Sequence, residues 1–398
     1  MKAIGFEMIP ALMPTYDRYN LTIVKGKGCS VFDSEGKQYL DFGAGIAVNS
    51  LGHCHPRLVS ALKKQASNLW HCSNLYNIPK QNELAKRLVK NTFADTVFFN
   101  NSGAEAIETG IKIIRKYQHD NGNPSKFRII TFKGSFHGRT LATIAASRQK
   151  KHIDGFGPIV SGFDQVILND IKKVESAIKP TTAGVLIEPI QGEGGILCAQ
   201  NGYLQELRRL CDKYDLLLML DEVQTGNGRT GKLYAYEWAK LKPDIVATAK
   251  GLGGGFPIGA CLANEKAGKT LTSGSHGTTF GGNPMAMAVA NAVLDVILEK
   301  GFLNSVRDRS SLLMKHLTEI AKCHPTVIDE VRGRGLMIGL HCAFDNGNKL
   351  LVDRFLKKGL MAVPAGDNVV RLLPPLIVTP TEINEATSII NDTVGEVA

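Results

Sequence analysis

The 398-residue chain has no extended basic block, no Cys-x-x-Cys pair and no long apolar run, and each absence removes a class of function. Its formal charge is +10, but the basic residues fall in short groups such as Lys112, Arg115 and Lys116, or Lys357 and Lys358. Such groups read as solvated helix faces, so no nucleic-acid partner is expected. No stretch approaches the roughly 18 apolar residues of a membrane span, so no membrane partner is expected either. The eight cysteines (Cys29, Cys54, Cys72, Cys198, Cys211, Cys261, Cys323, Cys342) are scattered, which reads as reduced thiols in a cytoplasm-like compartment. His53-Cys54-His55 has no second set at zinc spacing, and no metal is expected. Near the start, Glu7 and Pro10 interrupt any apolar signal region, and Asp17 precedes the first arginine, Arg18; a soluble cytoplasmic protein is the expectation. Neither a dinucleotide-binding GxGxxG nor a P-loop pattern marks the small-residue turn at Asn101–Glu105, and there is no repeat or low-complexity tract.

What is present is alternation. Short apolar or β-branched runs (Thr96–Phe99, Arg128–Phe132, Val185–Ile187, Leu216–Leu220, Ile245–Ala247, Gly259–Ala263) alternate with helical patterns, the clearest being Ala104–Gln118 and Gly202–Tyr214. Fully apolar strands between helices predict an α/β domain with a buried, mostly parallel sheet. We place this large domain at residues 51–290. Residues 20–42 read as a hairpin, and the carboxyl-terminal third as a smaller α+β domain, 291–398, with residues 1–50 packed nearby.

Three stretches carry chemistry. Asn101-Ser102-Gly103-Ala104-Glu105 follows a strand and opens a helix, whose free N–H groups and dipole suit a phosphate; taken alone it reads first as a helix start capped by Asn101 or Ser102. Asp221 ends the apolar run Leu216–Leu220, at the sheet edge where ligands bind in such domains. A buried carboxylate there needs a cation or strong donors. Lys250 follows Ile245-Val246-Ala247-Thr248-Ala249, and a lysine in that apolar setting loses its proton more readily, which suits Schiff-base chemistry. Asp221 and Lys250 lie at successive strand ends separated by a helix-sized gap, so both face one edge.

With these residues the chain resembles the class III aminotransferases, which use pyridoxal 5′-phosphate on a fold of type I. The matching motifs run from Leu12-Met13-Pro14-Thr15-Tyr16, through Gly45-Ile46-Ala47-Val48, Ser135-Phe136-His137-Gly138-Arg139-Thr140, Glu188-Pro189-Ile190-Gln191-Gly192-Glu193 and Asp221-Glu222-Val223-Gln224, to His276-Gly277-Thr278-Thr279-Phe280 and Arg371-Leu372-Leu373-Pro374-Pro375. The resemblance implies that Lys250 forms the Schiff base and moves a proton, and that Asp221 pairs with the cofactor's ring nitrogen. It implies Phe136 stacked on the ring, Gln224 near its phenolic oxygen, and Ser102, Gly103 and Ala104 at the phosphate. Thr279 would reach the phosphate of a neighbouring subunit, hence a homodimer with shared sites. Arg139 would take the distal carboxylate of 2-oxoglutarate and Arg371 the α-carboxylate, with Glu193 pairing with Arg371 when an amine donor reacts at its distal end. Tyr16 and Thr278 are expected at the substrate.

Within the family the acetylornithine-type branch is the best fit, which implies transfer of the ω-amino group of N2-acetyl-L-ornithine to 2-oxoglutarate in arginine biosynthesis. Ile46 stands where free-ornithine enzymes usually have tyrosine. Succinyldiaminopimelate, 4-aminobutyrate or ornithine as amine donor, an aminomutase, and a non-catalytic cofactor-binding protein are the alternatives. Asn100, Ile107 and Asn227 depart from the family pattern, the first two beside the phosphate turn.

Overall fold

The computed structural model describes residues 11–398; the first ten residues of the expected amino-terminal segment lie outside the described residues. A seven-stranded sheet forms the centre: β1 (Thr96–Asn100), β2 (Arg128–Phe132), β3 (Phe163–Val166), β4 (Thr182–Ile187), β5 (Leu217–Asp221), β6 (Ile245–Thr248) and β7 (Gly259–Ala263). Their spatial order is β1-β7-β6-β5-β4-β2-β3. From β3 to β6 all neighbours are parallel, whereas β7 runs antiparallel to both β6 and β1. The result is the expected mostly parallel α/β fold.

Alternate residues of the central strands supply two cores, as the period of two requires. Leu217 and Met219 of β5 pack with Ile107, Ile111 and Ile114 of the helix Gly103–Asp120. Leu218 and Leu220 point the other way, into a cluster with Leu204, Leu207 and Cys211 of the helix Tyr203–Lys213. Because both faces are covered, these strands read as unbroken apolar runs. The short strand β3 was not legible in the sequence. Only four residues long, it carries Asp164 and Gln165 and lies at the sheet edge, where Asp164 pairs with Arg128 at 2.6 Å and Lys179 at 3.0 Å.

The gap between Asp221 and Lys250 also differs from expectation, for it holds only a 3₁₀ turn, Ala235–Ala239. A buried carboxylate organises it instead. Glu222 accepts from Thr225 Oγ1 (2.7 Å), Ala235 N (2.8 Å) and Tyr236 N (2.8 Å). Burial pushes its carboxyl up to about 7.

The two departures beside the phosphate turn are absorbed by packing. Ile107 is fully buried in the helix–sheet core, and Asn100 Nδ2 donates to Thr109 Oγ1 at 3.3 Å.

A second core joins the chain ends. The antiparallel strands Ile328–Arg334, Met337–Cys342, Val369–Leu372 and Val363–Ala365 form a sheet. The helices Phe302–Cys323, Gly347–Lys357 and Pro380–Gly395 share a core with it. Leu40 and Phe42, at the end of a meander beginning at Ile23, belong to the same core. The helix Pro284–Ile297, which contains residue 290, is buried along its length in the large-sheet cluster.

Candidate active site

The carboxyl ends of β5 and β6 open into a cavity of about 450 Å³, at the edge of the sheet where the topology leaves a crevice. Lys250, two residues beyond β6, lines it, together with Asp221, Phe136, Gln224, Glu193 and Arg139. Ser102, Gly103 and Ala104 line it too. Lys250 has φ +44, a left-handed conformation that costs a non-glycine residue about 1 kcal/mol. The following turn holds it, with Gly253 N donating to Lys250 O at 3.0 Å. Burial, then the nearby Arg371 guanidinium, lower the Lys250 amine from its ordinary value to about 8, while Glu193, Asp221 and Glu188 pull the other way.

Asp221 is held on both oxygens. Its Oδ1 accepts from Val223 N at 3.0 Å, and its Oδ2 lies 2.8 Å from His137 Nδ1. His137 is buried, its backbone N–H donating to Ser147 Oγ at 3.0 Å, and its Nε2 has no partner among the described residues. Beside them Glu188, directly after β4, accepts from Phe136 N (2.8 Å) and Gly192 N (3.1 Å). Burial, then the Asp221 charge, push its carboxyl up to about 7. Neither His137 nor Glu188 was singled out from sequence. Glu188 obeys the same rule as Asp221, a carboxylate at the carboxyl end of a buried strand, and could have been found by it.

The helix Gly103–Asp120 begins at the cavity. Ser102 Oγ caps it by accepting from Glu105 N at 3.2 Å, and Asn101 N donates to Glu105 Oε2 at 2.6 Å. Among the described residues, no group accepts from the N–H of Gly103 or Ala104, as is usual at a first turn. Both therefore remain available to an anion.

Arg371, in the strand Val369–Leu372, reaches the cavity region from the second core and is fully buried. Its Nη1 donates to Glu193 Oε1 (2.6 Å) and Gln224 Oε1 (3.0 Å), while Nε and Nη2 have no partner among the described residues. Burial works against the Glu193 carboxylate, but Arg371, with lesser help from Lys250, holds it below the usual range. The backbone comes close here, since a Cβ on Gly192 would sit 2.6 Å from Gln224 Oε1 and would press on the side chain that Arg371 holds. Arg139 is exposed, lies over the Phe136 ring at 5.8 Å and has no carboxylate within 4.0 Å among the described residues.

Three expected site residues stand apart from this cavity. Tyr16 is exposed, with Arg18 over its ring at 5.5 Å. Thr278 and Thr279 line a second cavity of about 510 Å³ with Glu105, His276 and Phe280. Asn101 borders both cavities, its Nδ2 lying 3.4 Å from Thr278 Oγ1.

Comparison with known proteins agrees with this arrangement. The profile of the family described as "Aminotransferase class-III" matches residues 12–394. An acetylornithine aminotransferase of Mesorhizobium japonicum is 58% identical over 378 residues, covering 94% of each chain. That of Brucella melitensis is 56% identical over 376 residues, covering 94% of this chain and 93% of its own. Among solved structures, N-acetylornithine aminotransferase from Stenotrophomonas maltophilia superposes with a TM-score of 0.84 at 39% identity, covering 96% of this chain and 97% of that one. Ornithine aminotransferase from Toxoplasma gondii gives 0.93 at 32% identity over 97% and 93% of the two chains. A second structure of the Toxoplasma enzyme reports pyridoxal phosphate in its active site. Fold, cavity and sequence similarity together place the chain in the class III family of pyridoxal-phosphate-dependent aminotransferases.

Proposed function

We propose that the protein transfers the ω-amino group of N2-acetyl-L-ornithine to 2-oxoglutarate, releasing N-acetyl-L-glutamate 5-semialdehyde and L-glutamate, as a step of arginine biosynthesis. The observation that carries this reading is the single cavity lined by Lys250, the Asp221–His137 pair, the free N–H groups of Gly103 and Ala104, and Glu193, which holds Arg371 behind it. The substrate assignment is supported by relatives named acetylornithine aminotransferase at 56–58% identity.

The donor set fits pyridoxal phosphate. Gly103, Ala104 and Ser102 offer N–H and O–H groups to a phosphate. Asp221 offers a carboxylate to a cationic ring nitrogen, Lys250 an amine to the aldehyde, Phe136 a face to the ring and Gln224 an amide to its phenolic oxygen. When bound, the cofactor supplies an electron sink for the carbon that loses its proton.

The chain's own residues do the rest. Lys250 Nζ, lowered to about 8, is partly neutral near physiological pH and takes the proton from the substrate's amine-bearing carbon. Asp221 keeps its charge oriented because Val223 N–H and His137 fix both oxygens. The reacting end of N2-acetyl-L-ornithine carries no carboxylate, so Arg371 can stay capped by Glu193 during that half of the cycle. The α-carboxylate of 2-oxoglutarate or glutamate needs the guanidinium, and Glu193 must then yield it. Arg139, without an ion-pair partner among the described residues, meets the distal carboxylate of 2-oxoglutarate.

In this reading the active form is a cytoplasmic homodimer, with Thr279 serving the partner's phosphate and Thr278 and Tyr16 completing the substrate's surroundings. None of the described helices is long and apolar enough to cross a membrane. In this reading the chain divides into the segment 1–50, a cofactor-binding domain from residue 51 and a small domain, the division near residue 290 falling within the helix Pro284–Ile297, whose buried face stays with the large sheet.

The test is steady-state kinetics of the cofactor-loaded protein. N2-acetyl-L-ornithine and 2-oxoglutarate should give glutamate with parallel double-reciprocal lines, and Lys250→Ala should lower kcat by about a thousandfold or more. Intersecting lines would reject the two-stage cycle. Faster turnover of 4-aminobutyrate or free ornithine would reject the substrate.

A further inference from the structure

One fully buried guanidinium takes no part in the chemistry above. Arg229 is 2% exposed, and no carboxylate lies within 4.0 Å of it among the described residues. Its Nη1 donates to two carbonyls, Leu336 O at 2.9 Å and Pro374 O at 2.5 Å, and its Nη2 has no partner among the described residues. Its own carbonyl accepts from Leu336 N at 3.0 Å. Burying a cation against carbonyls alone is unfavourable, and burial lowers this guanidinium to about 9. A group held at such cost calls for a specific role.

The two carbonyls are not arbitrary. In the antiparallel pairing of Met337–Cys342 with Val369–Leu372, Ile338 faces Leu372 and Gly339 faces Arg371. Continued by one more step of two, that register sets Leu336 opposite Pro374. Proline has no N–H, so the ladder cannot be extended there from the Pro374 side. Arg229 takes over: its side chain serves both carbonyls and its backbone carbonyl serves the Leu336 N–H. The guanidinium thus closes the end of the two-strand ladder that holds Arg371 three residues away.

The loop that carries Arg229 also touches the site itself. Gln224 accepts from Arg371 Nη1 at 3.0 Å, and Asn227 Nδ2 donates to Ala249 O, next to Lys250, at 3.2 Å. We propose that Arg229 is a positioning residue that fixes the strand end bearing Arg371 against the Asp221–Arg229 loop, and so sets how well Arg371 receives an α-carboxylate.

The proposal rests on the transamination reading above, and it predicts an asymmetry between the two half-reactions. In the L-glutamate half, Arg371 must bind the α-carboxylate; in the N2-acetyl-L-ornithine half it stays capped by Glu193. Arg229→Met removes both Nη1 hydrogen bonds while keeping an unbranched apolar stem. In single-turnover absorbance measurements on the loaded enzyme, it should slow the L-glutamate half-reaction by about tenfold or more, through weaker binding rather than a lower limiting rate. The N2-acetyl-L-ornithine half-reaction should change by less than about threefold. The affinity for glutarate, an unreactive dicarboxylate, measured by calorimetry should fall in parallel. Arg229→Lys, which keeps one cationic donor, should recover part of the loss, and it carries the same asymmetry test if the methionine variant does not fold. Equal losses in both half-reactions, or none in either, would overturn the positioning role. A wild-type enzyme inactive toward both amines would instead reject the underlying functional reading.

Discussion

Two buried charges meet at the cavity, and they are solvated in opposite ways. Asp221, at the end of β5, has both oxygens engaged, by Val223 N–H and by His137. Arg371, from the carboxyl-terminal antiparallel sheet, has one nitrogen engaged, by Glu193 and Gln224, while Nε and Nη2 have no partner among the described residues. A fully served charge is fixed in place. A partly served one retains a reason to change partner, because unpaired buried donors are costly. On the proposed function, the large-sheet side of the site would serve constant chemistry, and the side that carries Arg371 alternating recognition of two substrates.

The contrast is open to direct attack. Asp221→Asn removes the fixed charge and should depress both half-reactions together, by about a hundredfold or more in kcat. If only one half-reaction fell, Asp221 would belong to recognition, and the contrast would collapse. Glu193→Gln should act on the other side and act unequally. With the cap weakened, single-turnover rates with L-glutamate should rise relative to those with N2-acetyl-L-ornithine by about tenfold. An unchanged ratio would mean that Glu193 does not gate Arg371.

The smallest effect concerns pH. Lys250 is lowered to about 8 by burial and by Arg371. The cofactor-free protein should therefore capture pyridoxal phosphate at a rate that rises with pH and levels off above a midpoint near 8. A midpoint near 10.5, that of an ordinary lysine, would show that the pocket does not perturb the amine. The sign for stability follows from linkage. The folded pKa lies below the unfolded one, so the unfolded chain binds more protons between about 8 and 10.5, and this lysine's burden on folding eases as pH rises across that window.

Much of this was legible without coordinates. Leu216–Leu220 and Ile245–Ala247 are long enough and apolar enough to be read as buried strands, and Asp221 and Lys250 announce themselves by ending such runs. The strand β3 was hidden because an edge strand of four residues with two polar side chains looks like a loop. The absence of a helix between β5 and β6 was equally hidden. What organises that connection is Glu222, whose backbone partners Ala235 and Tyr236 lie 13 and 14 residues away.

The sequence by itself determined the alternation of elements, the apolar strands, and which residue types stand at their carboxyl ends, because these depend on neighbours a few positions apart. Only the tertiary structure decided who faces whom. His137 meets Asp221 across 84 residues, Arg371 meets Glu193 across 178, and Arg229 reaches Pro374 across 145. Such pairings are set by the order in which strands assemble into sheets and by the docking of one core on another, and no local periodicity encodes that order.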